Sequence, residues 1–222
     1  MENIDDQRPN ASYGMTREQA LWHDKNYTFE NFKYNLRYYI NNILARRGSN
    51  NVFIIDDCNR DIILNMYEYI KGGPKSRWHP NKGVFLGGKV GTGKTLLMEA
   101  FCGVLSNLTG YYIEKIPAIQ LADNIYKYGV EHYTKRPIFI DDLGREELEV
   151  NYYGRRIRPF EDLIQARYEY GSRIFITSNF KPERLGAGYD ENGKKIGYGQ
   201  FIYSRMVEMC SFDVLGGVDR RK

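Results

Sequence analysis

Apolar residues recur along the chain with two different spacings, and these spacings predict where helices and strands form. Steps of three and four residues predict amphipathic helices over residues 29–48, 60–71, 95–105, 118–128, 159–170 and 200–208. Short apolar runs predict five strands, over residues 84–86, 111–115, 137–142, 173–179 and 212–215. Because these strands alternate with helices, the pattern indicates an α/β fold built on a parallel sheet.

The N-terminal third of the chain has a different pattern from the rest. Residues 1–26 show no sustained periodicity, so we expect a poorly ordered or partner-dependent lead. The two helices that follow end at the breaker Gly72-Gly73-Pro74. We therefore divide the chain into a helical N-terminal extension, residues 1–77, and an α/β core, residues 78–222. The extension is either a cap on the core or a docking surface for another protein, and the sequence leaves both open.

Composition narrows the class of protein. A chain of 222 residues with 42% hydrophobic and 27% charged residues can bury one α/β core and carry a small extension. No apolar run is long enough to span a bilayer and the N-terminus is acidic and polar, so we expect a cytoplasmic protein without a membrane partner. Three scattered cysteines indicate neither a disulfide framework nor a zinc site. The net charge of +4 permits a nucleic-acid partner without requiring one.

The stretch VFLGGKVGTGKT, residues 84–95, combines a buried strand, a glycine-rich loop and the start of a helix. It matches G-x-x-x-x-G-K-T, in which glycines let backbone N–H groups turn towards phosphate oxygens at a helix N-terminus. Lys94 would reach the β- and γ-phosphates of ATP, and the Thr95 hydroxyl would bind Mg²⁺. The predicted nucleotide-binding residues are Gly88, Lys89, Val90, Gly91, Thr92, Gly93, Lys94, Thr95 and Leu96.

Two further strands end in polar residues that suit phosphoryl transfer. The strand over residues 137–142 ends in Asp141 and Asp142, and the strand over residues 173–179 ends in Asn179. One carboxylate is needed to order the water shell of Mg²⁺ and another to orient the attacking water, and we give these roles to Asp141 and Asp142. Asn179 would hydrogen-bond the water or the γ-phosphate if its strand lies beside the first. Residues 150–158 read as a loop whose arginines and tyrosines suit a nucleic acid, or as a solvated loop.

The order of these motifs, GGKVGTGKT, IFIDDLG, IFITSN and YSRM, resembles that of the AAA+ ATPases. The short IDDLG form, the run ARYEYGSRIFITSN and the segment GGVDRR are most similar to the bacterial replicative-helicase-loader branch, the DnaC and IstB-like proteins. The likeness covers about residues 78–222. It implies a P-loop NTPase core of three αβα layers with a five-stranded parallel sheet. The helical N-terminal extension is predicted from periodicity alone, and because few residues follow Leu215 we expect no C-terminal lid domain.

The resemblance also assigns roles to single residues. It places the glycines, Lys94 and Thr95 on Walker A, the pair Asp141 and Asp142 on Walker B, and Asn179 on sensor 1. Arg205 falls where the family has an arginine finger, which completes the active site of the neighbouring subunit. Residues 126–128, Tyr-Lys-Tyr, would lie near a segment that contacts single-stranded DNA.

The sequence departs from the wider family at two places. Asp142 stands where most AAA+ proteins have Glu, so Glu146 or Glu147 are substitutes for the general base. A lid arginine is also missing, unless Arg220 or Arg221 replaces it.

The resemblance implies an ATP-hydrolysing DNA-replication accessory protein that assembles head to tail on single-stranded DNA and whose extension binds a replicative helicase. A transposition helper of the IstB type would differ in having a transposase as its partner. The phosphate loop is also compatible with a nucleotide-dependent DNA-binding adaptor that has little turnover, and with a small-molecule P-loop kinase.

Overall fold

The structure is a computed structural model that describes residues 27–72, 75–79, 81–152 and 154–220. The prediction for residues 1–26 lies outside these ranges, and so does Arg221.

The strands form one parallel sheet and one hairpin. Within the described residues they are β1 (Gly83–Gly87), β2 (Glu114–Pro117), β3 (Ile138–Leu143), β4 (Val150–Tyr152), β5 (Arg155–Ile157), β6 (Ile174–Ser178) and β7 (Cys210–Val214). Five of them pair in parallel in the order β2-β3-β6-β1-β7, while β4 and β5 form a separate antiparallel hairpin. The five-stranded parallel sheet predicted from the sequence is confirmed.

Six of the seven described helices lie close to their predicted positions, and the short helix Pro182–Leu185 was not predicted. They are α1 (Phe29–Arg46), α2 (Arg60–Lys71), α3 (Lys94–Thr109), α4 (Leu121–Tyr128), α5 (Pro159–Tyr170), α6 (Pro182–Leu185) and α7 (Gln200–Met209), with 3-10 turns at Ala118–Gln120 and Glu131–Tyr133. Helices α2 and α5 begin and end at the predicted residues. None of the described helices combines the length and the apolar character needed to cross a membrane.

Helices cover both faces of the sheet because successive strand residues point to opposite sides. Val84 and Leu86 of β1 pack with α1, α2 and α3, whereas Phe85 between them packs with α5 and α7. Strand β3 repeats this alternation at Phe139 and Ile140. The result is the expected three-layer αβα core.

The two N-terminal helices share the main core. Phe32, Leu36 and Ile40 of α1 are fully buried in the same cluster as residues of α2, α3 and β1. Close approach of α1 to α3 requires a glycine, since a Cβ at Gly103 would lie 2.6 Å from the ring of Tyr39. The division of the chain at residue 77 stays a prediction, and the apolar sides of both helices are buried against the core.

Two local predictions were wrong. Residues 150–158 contain the hairpin of β4 and β5 where a loop was predicted, with Gly154 supplying a positive φ of 78° at the turn. Strand β2 begins at Glu114, three residues later than predicted, because the N–H of Ile113 donates to the Ser106 hydroxyl of α3 at 3.1 Å. That bond holds the preceding residues against the helix and away from the sheet edge.

Candidate functional site

A cavity of about 930 Å³ opens at the carboxyl ends of the parallel strands. The loop after β1, the first turn of α3 and the ends of β3 and β6 form one side, and residues 49–56 contribute to the other. Ligands of open parallel sheets bind at this edge, and the volume suits a small molecule. All the predicted nucleotide-binding residues except Gly88 and Lys89 line it, as do Asp141, Asp142 and Asn179.

The glycine-rich loop has the backbone shape of an anion site. Gly88, Gly91 and Gly93 have φ values of 146°, 84° and 95°, which favour glycine. A Cβ at Gly91 would lie 2.1 Å from the Asp219 carboxylate, so the tail after β7 packs directly on the loop. Helix α3 begins at Lys94, and no side chain caps its first turn. The N–H groups of that turn are therefore suited to bind phosphate oxygens.

Lys94 and Asn179 meet inside the cavity. The Lys94 ammonium, on a side chain that is almost fully buried, donates to the Lys89 carbonyl oxygen at 2.7 Å and to Asn179 Oδ1 at 2.9 Å. The carbonyl belongs to the phosphate loop and the amide to the residue after β6. Because β6 pairs with both β1 and β3, the fold places Asn179 between the loop and the carboxylates.

Strand β3 brings Asp141 beside Thr95. Asp141 Oδ1 accepts hydrogen bonds from the hydroxyls of Thr95 and Thr177, each at 2.7 Å. The Lys115 ammonium lies 3.0 Å from Asp141 Oδ2. Thr177 and Lys115 were not predicted as site residues, although both lie on strands that lead into the site.

Thr95 and Asp141 fit a magnesium site. Hydroxyl and carboxylate oxygens are the hard ligands that Mg²⁺ prefers, and the two side chains are in direct contact. Among the described residues, no group of three or more His, Cys, Asp or Glu side chains could hold a metal by itself. These two residues would supply part of the coordination of a bound Mg²⁺, which commonly shares its remaining positions with phosphate and water.

Asp142 is held in an unusual conformation at the same edge. Its φ of 59° is the only positive value for a non-glycine residue in the described chain, and the register of β3 against β6 shifts at this point. The Asp142 N–H donates to the Thr177 hydroxyl at 3.0 Å. The carboxylate contacts Arg145 at 3.3 Å and accepts from the Asn179 amide at 3.4 Å. Such a conformation costs free energy and persists where the surroundings enforce it.

The two glutamates named as substitutes for Asp142 lie away from the cavity. The Glu146 carboxylate accepts hydrogen bonds from the Gly144 N–H at 2.7 Å and from the Tyr198 hydroxyl. Burial raises the pKa of Glu146 above its ordinary value. Glu147 is exposed, and neither glutamate lines the cavity. Of these three carboxylates, Asp142 is the one that lines the cavity.

Arg205 lies outside the cavity, on α7. Its guanidinium stacks on Phe201, 3.9 Å from the ring centroid, and lies 5.0 Å from that of Tyr168. One of its terminal nitrogens is buried and has no hydrogen-bond partner among the described residues. The side chain is thus fixed by aromatic contacts, and a donor group remains unused.

The far wall of the cavity was not predicted. The Arg220 guanidinium donates to the Asp56 carboxylate at 2.7 Å, and the Arg220 N–H donates to the Gly91 carbonyl oxygen at 3.0 Å. Val52 and Ile54, on the same wall, are exposed apolar side chains. Arg220, one of the two residues suggested as a replacement for a lid arginine, thus lines the cavity.

The two groups of candidate nucleic-acid-binding residues, on α4 and in the hairpin region, differ in exposure and in contacts with acidic side chains. Tyr126 and Tyr128 on α4 are 56% and 51% exposed, with the Lys127 ammonium 4.9 Å from the Tyr128 ring. In the hairpin region, Arg156 and Arg158 both contact the Glu149 carboxylate, at 3.7 and 2.9 Å. That carboxylate partly neutralises the basic cluster.

Comparison with solved structures identifies the fold. DnaI matches with a TM-score of 0.56 and 21% identity, over 77% of this chain and 88% of that chain. The DnaC helicase loader matches with a TM-score of 0.54 and 16% identity, over 74% of this chain and 93% of that chain. The replication initiator DnaA, bound to AMPPCP and single-stranded DNA, matches with a TM-score of 0.53 and 17% identity, over 89% of this chain and 52% of that chain.

No family model and no curated protein matches the chain. At these identities the structural likeness establishes the fold, which is the P-loop AAA+ fold of helicase loaders and DnaA that the motifs predicted.

Proposed function

We propose that the chain binds and hydrolyses ATP with Mg²⁺ as an accessory protein of DNA replication, similar to a helicase loader. The observation that carries this proposal is the meeting of Lys94, Thr95, Asp141 and Asn179 around one cavity at the carboxyl ends of β1, β3 and β6. Four side chains from three separate segments of the sequence converge there, and each has the chemistry that phosphoryl transfer needs.

The residues divide the work of binding ATP. The loop N–H groups and the Lys94 ammonium hold the phosphates, while Thr95 and Asp141 hold Mg²⁺, which neutralises charge on the β- and γ-phosphates when bound. The apolar side chains of Val52 and Ile54 offer the base a surface that excludes water. Arg220 reaches the cavity from the tail and adds a positive charge near the loop.

We expect slow hydrolysis by an isolated chain. Asp142 is the group that orients the attacking water, with Asn179 beside it. Its carboxylate also contacts Arg145, and a carboxylate that shares its charge with a cation is a weaker hydrogen-bond acceptor for water. Conversion to fast turnover therefore requires a change in the surroundings of Asp142 or an added positive charge.

Head-to-tail assembly supplies that added charge. Arg205 does not line the cavity of its own chain, and its side chain is only partly buried on α7. In a ring or open spiral of identical subunits, Arg205 of one subunit would meet the γ-phosphate held by the next. ATP then acts as the ligand that favours assembly, and hydrolysis reverses it.

The DNA and protein partners belong to the same proposal. The exposed rings of Tyr126 and Tyr128, with Lys127 between them, suit stacking on bases of single-stranded DNA and contact with its phosphates. The outer faces of α1 and α2 would bind the helicase, in the cytoplasm. A transposase in place of the helicase would leave the ATPase chemistry unchanged.

Steady-state ATP hydrolysis against protein concentration, with and without single-stranded DNA, tests the proposal, with nucleotide binding measured in parallel. We expect turnover per chain to rise with concentration and with DNA. Tight ATP binding with negligible turnover under every condition would indicate the adaptor. Turnover that is indifferent to both concentration and DNA would favour a monomeric kinase and contradict shared-site assembly.

A further inference from the structure

A chain of ion pairs joins the end of α1 to the proposed metal site. Glu99 lies four residues after Thr95 on α3, so both side chains lie on the same face of that helix. The Lys115 ammonium on β2 lies between two carboxylates, 2.7 Å from Glu99 Oε2 and 3.0 Å from Asp141 Oδ2. It is therefore shared between Asp141 and Glu99.

The far end of this chain is the C-terminus of α1. Arg46, its last residue, lies 3.3 Å from Glu99 Oε1, and Arg47, its C-cap, lies 2.9 Å from Glu99 Oε2. Three cations thus surround Glu99, and one of them also touches Asp141. The Glu99, Asp141 and Lys115 side chains are only 19%, 12% and 28% exposed, so water screens these contacts incompletely.

We propose that Lys115 is a positioning residue that holds the Asp141 carboxylate in place. Its contact with Asp141 depends, through Glu99, on the two arginines at the end of α1. This inference rests on the proposed function, because it assigns Asp141 to a Mg²⁺ site. Lys115 occupies Asp141 Oδ2, while the Thr95 and Thr177 hydroxyls occupy Oδ1. The ammonium keeps Oδ2 from turning to coordinate the metal directly, and its charge opposes metal binding.

Removal of the Lys115 side chain should therefore change two quantities in opposite directions: affinity for Mg²⁺ should rise and ATP turnover should fall. Loss of a unit charge about 6 Å from a divalent ion strengthens metal binding by at least about tenfold, the value for full screening by bulk water. Loss of the contact to Oδ2 frees the Asp141 carboxylate to rotate, so the metal is bound in a less productive position and turnover falls. If Lys115 were only structural, its removal would not raise the affinity for Mg²⁺ while lowering turnover.

The experiment titrates Mg²⁺ against a fluorescent ADP analogue bound to the full chain, with ATP turnover and thermal stability measured on the same preparations. We expect Lys115→Met and Lys115→Gln to lower the Mg²⁺ concentration for half-maximal binding at least about tenfold and to lower turnover. Lys115→Arg, which keeps the charge, should stay within about twofold of the parent. Arg60→Ala, which removes an exposed arginine paired with Asp57, is the control for net charge.

A double-mutant cycle tests the link to α1. Without Arg46 and Arg47, Glu99 keeps only Lys115 as its partner in this cluster and draws it away from Asp141. Replacing both arginines by Ala should therefore lower the half-maximal Mg²⁺ concentration by about threefold in the parent and leave it unchanged in Lys115→Met. Equal effects in both backgrounds would refute the link.

The outcomes separate this inference from the proposal beneath it. A parent chain that binds no nucleotide with or without Mg²⁺ would overturn the proposed function and the inference with it. A parent that binds Mg²⁺-nucleotide, together with Lys115 variants whose half-maximal Mg²⁺ concentration is unchanged or raised, would overturn the inference alone. Reduced thermal stability with equal losses of nucleotide affinity in Mg²⁺ and in EDTA would likewise reduce Lys115 to a structural role.

Discussion

The cavity at the phosphate loop and the surface of α7 around Arg205 differ in how completely their polar groups are paired within the chain. At the loop edge, Lys94, Thr95, Asp141 and Asn179 satisfy one another at 2.7 to 2.9 Å within one chain. On α7, Arg205 has aromatic contacts but one buried nitrogen without a hydrogen-bond partner among the described residues. The polar groups of the first region are paired with one another within the chain, whereas a donor of the second has no acceptor among the described residues.

This difference suggests that nucleotide binding and fast turnover, which a phosphate-loop motif usually suggests together, have separate structural origins. Binding of nucleotide should be a property of the single chain, because its contacts are already in place. Fast turnover should belong to an assembly, because it needs a group that the single chain does not bring to its own cavity. The predictions below test whether the two properties separate in this way.

Removal of the Arg205 side chain should have the largest effect, and only on turnover. Arg205→Ala should lower assembly-stimulated ATP hydrolysis by about 10³-fold, the range for arginine fingers, with ADP affinity unchanged. Arg184→Ala is a matched control, since Arg184 on α6 also stacks on a ring, that of Phe180. Loss of nucleotide affinity in Arg205→Ala would place Arg205 in the binding site and remove the contrast.

Replacement of Lys94 should affect binding by itself. Lys94→Met keeps the apolar stem but removes the charge that faces the phosphates, so affinity for ATP should fall about 100-fold, as expected for a charge-assisted hydrogen bond. Equilibrium titration with a fluorescent nucleotide measures this change, and Lys135→Met, at an exposed lysine, serves as the control. Parent-like affinity in Lys94→Met would mean that this loop does not hold the phosphates.

The shape of the loop should matter separately from its charge. Gly91→Ala places a Cβ within 2.1 Å of the Asp219 carboxylate at a φ of 84°, so we expect about a tenfold loss of nucleotide affinity and about 1–2 kcal/mol of stability. Gly110→Ala also has a positive φ, 71°, but meets nothing within 4 Å. It should lose similar stability and no affinity. Identical affinities for the two variants would show that the tail can yield without cost to the loop.

The smallest effect on nucleotide binding and turnover is expected at a buried hydroxyl, that of Thr177. Thr177→Val removes the group that donates to Asp141 and accepts from the Asp142 N–H, which leaves a buried donor unsatisfied. Chemical denaturation should show a loss of about 1–3 kcal/mol, with turnover reduced severalfold. Thr134→Val, which loses only a bond to the Val130 carbonyl, should cost less than half as much. Equal losses would show that Thr177 has no special place at the strand ends.

The sequence allowed much of this fold to be predicted, because its elements are strongly periodic. The alternation of residues 84–86 and the three- and four-residue spacing in 159–170 leave one choice of structure. The hairpin of β4 and β5 was not predicted, because residues 150–158 contain three arginines and only a weak β pattern. β2 was misplaced because a tertiary bond, from Ile113 to Ser106, overrides local preference.

The site was predictable to the extent that its residues follow one another along the chain. The phosphate loop is contiguous, and the Asp pair follows a strand, so both could be placed by sequence alone. Lys115 and Thr177 have no local signature, and Arg220 could be named only as one of two candidates. Lys115 and Arg220 line the cavity and Thr177 contacts Asp141 because β2, β6 and the tail after β7 converge there, and this convergence is a property of the sheet order.

The shared core of α1, α2 and α3 also has a mechanical consequence. Phe32, Leu36 and Ile40 pack in the same cluster as the side chains of the helix that follows the phosphate loop. A close-packed interior transmits strain, since it has few voids into which side chains can yield. A force applied to α1 by a bound partner protein would therefore be transmitted through these contacts to α3. The phosphate loop, which leads into α3, would then be strained.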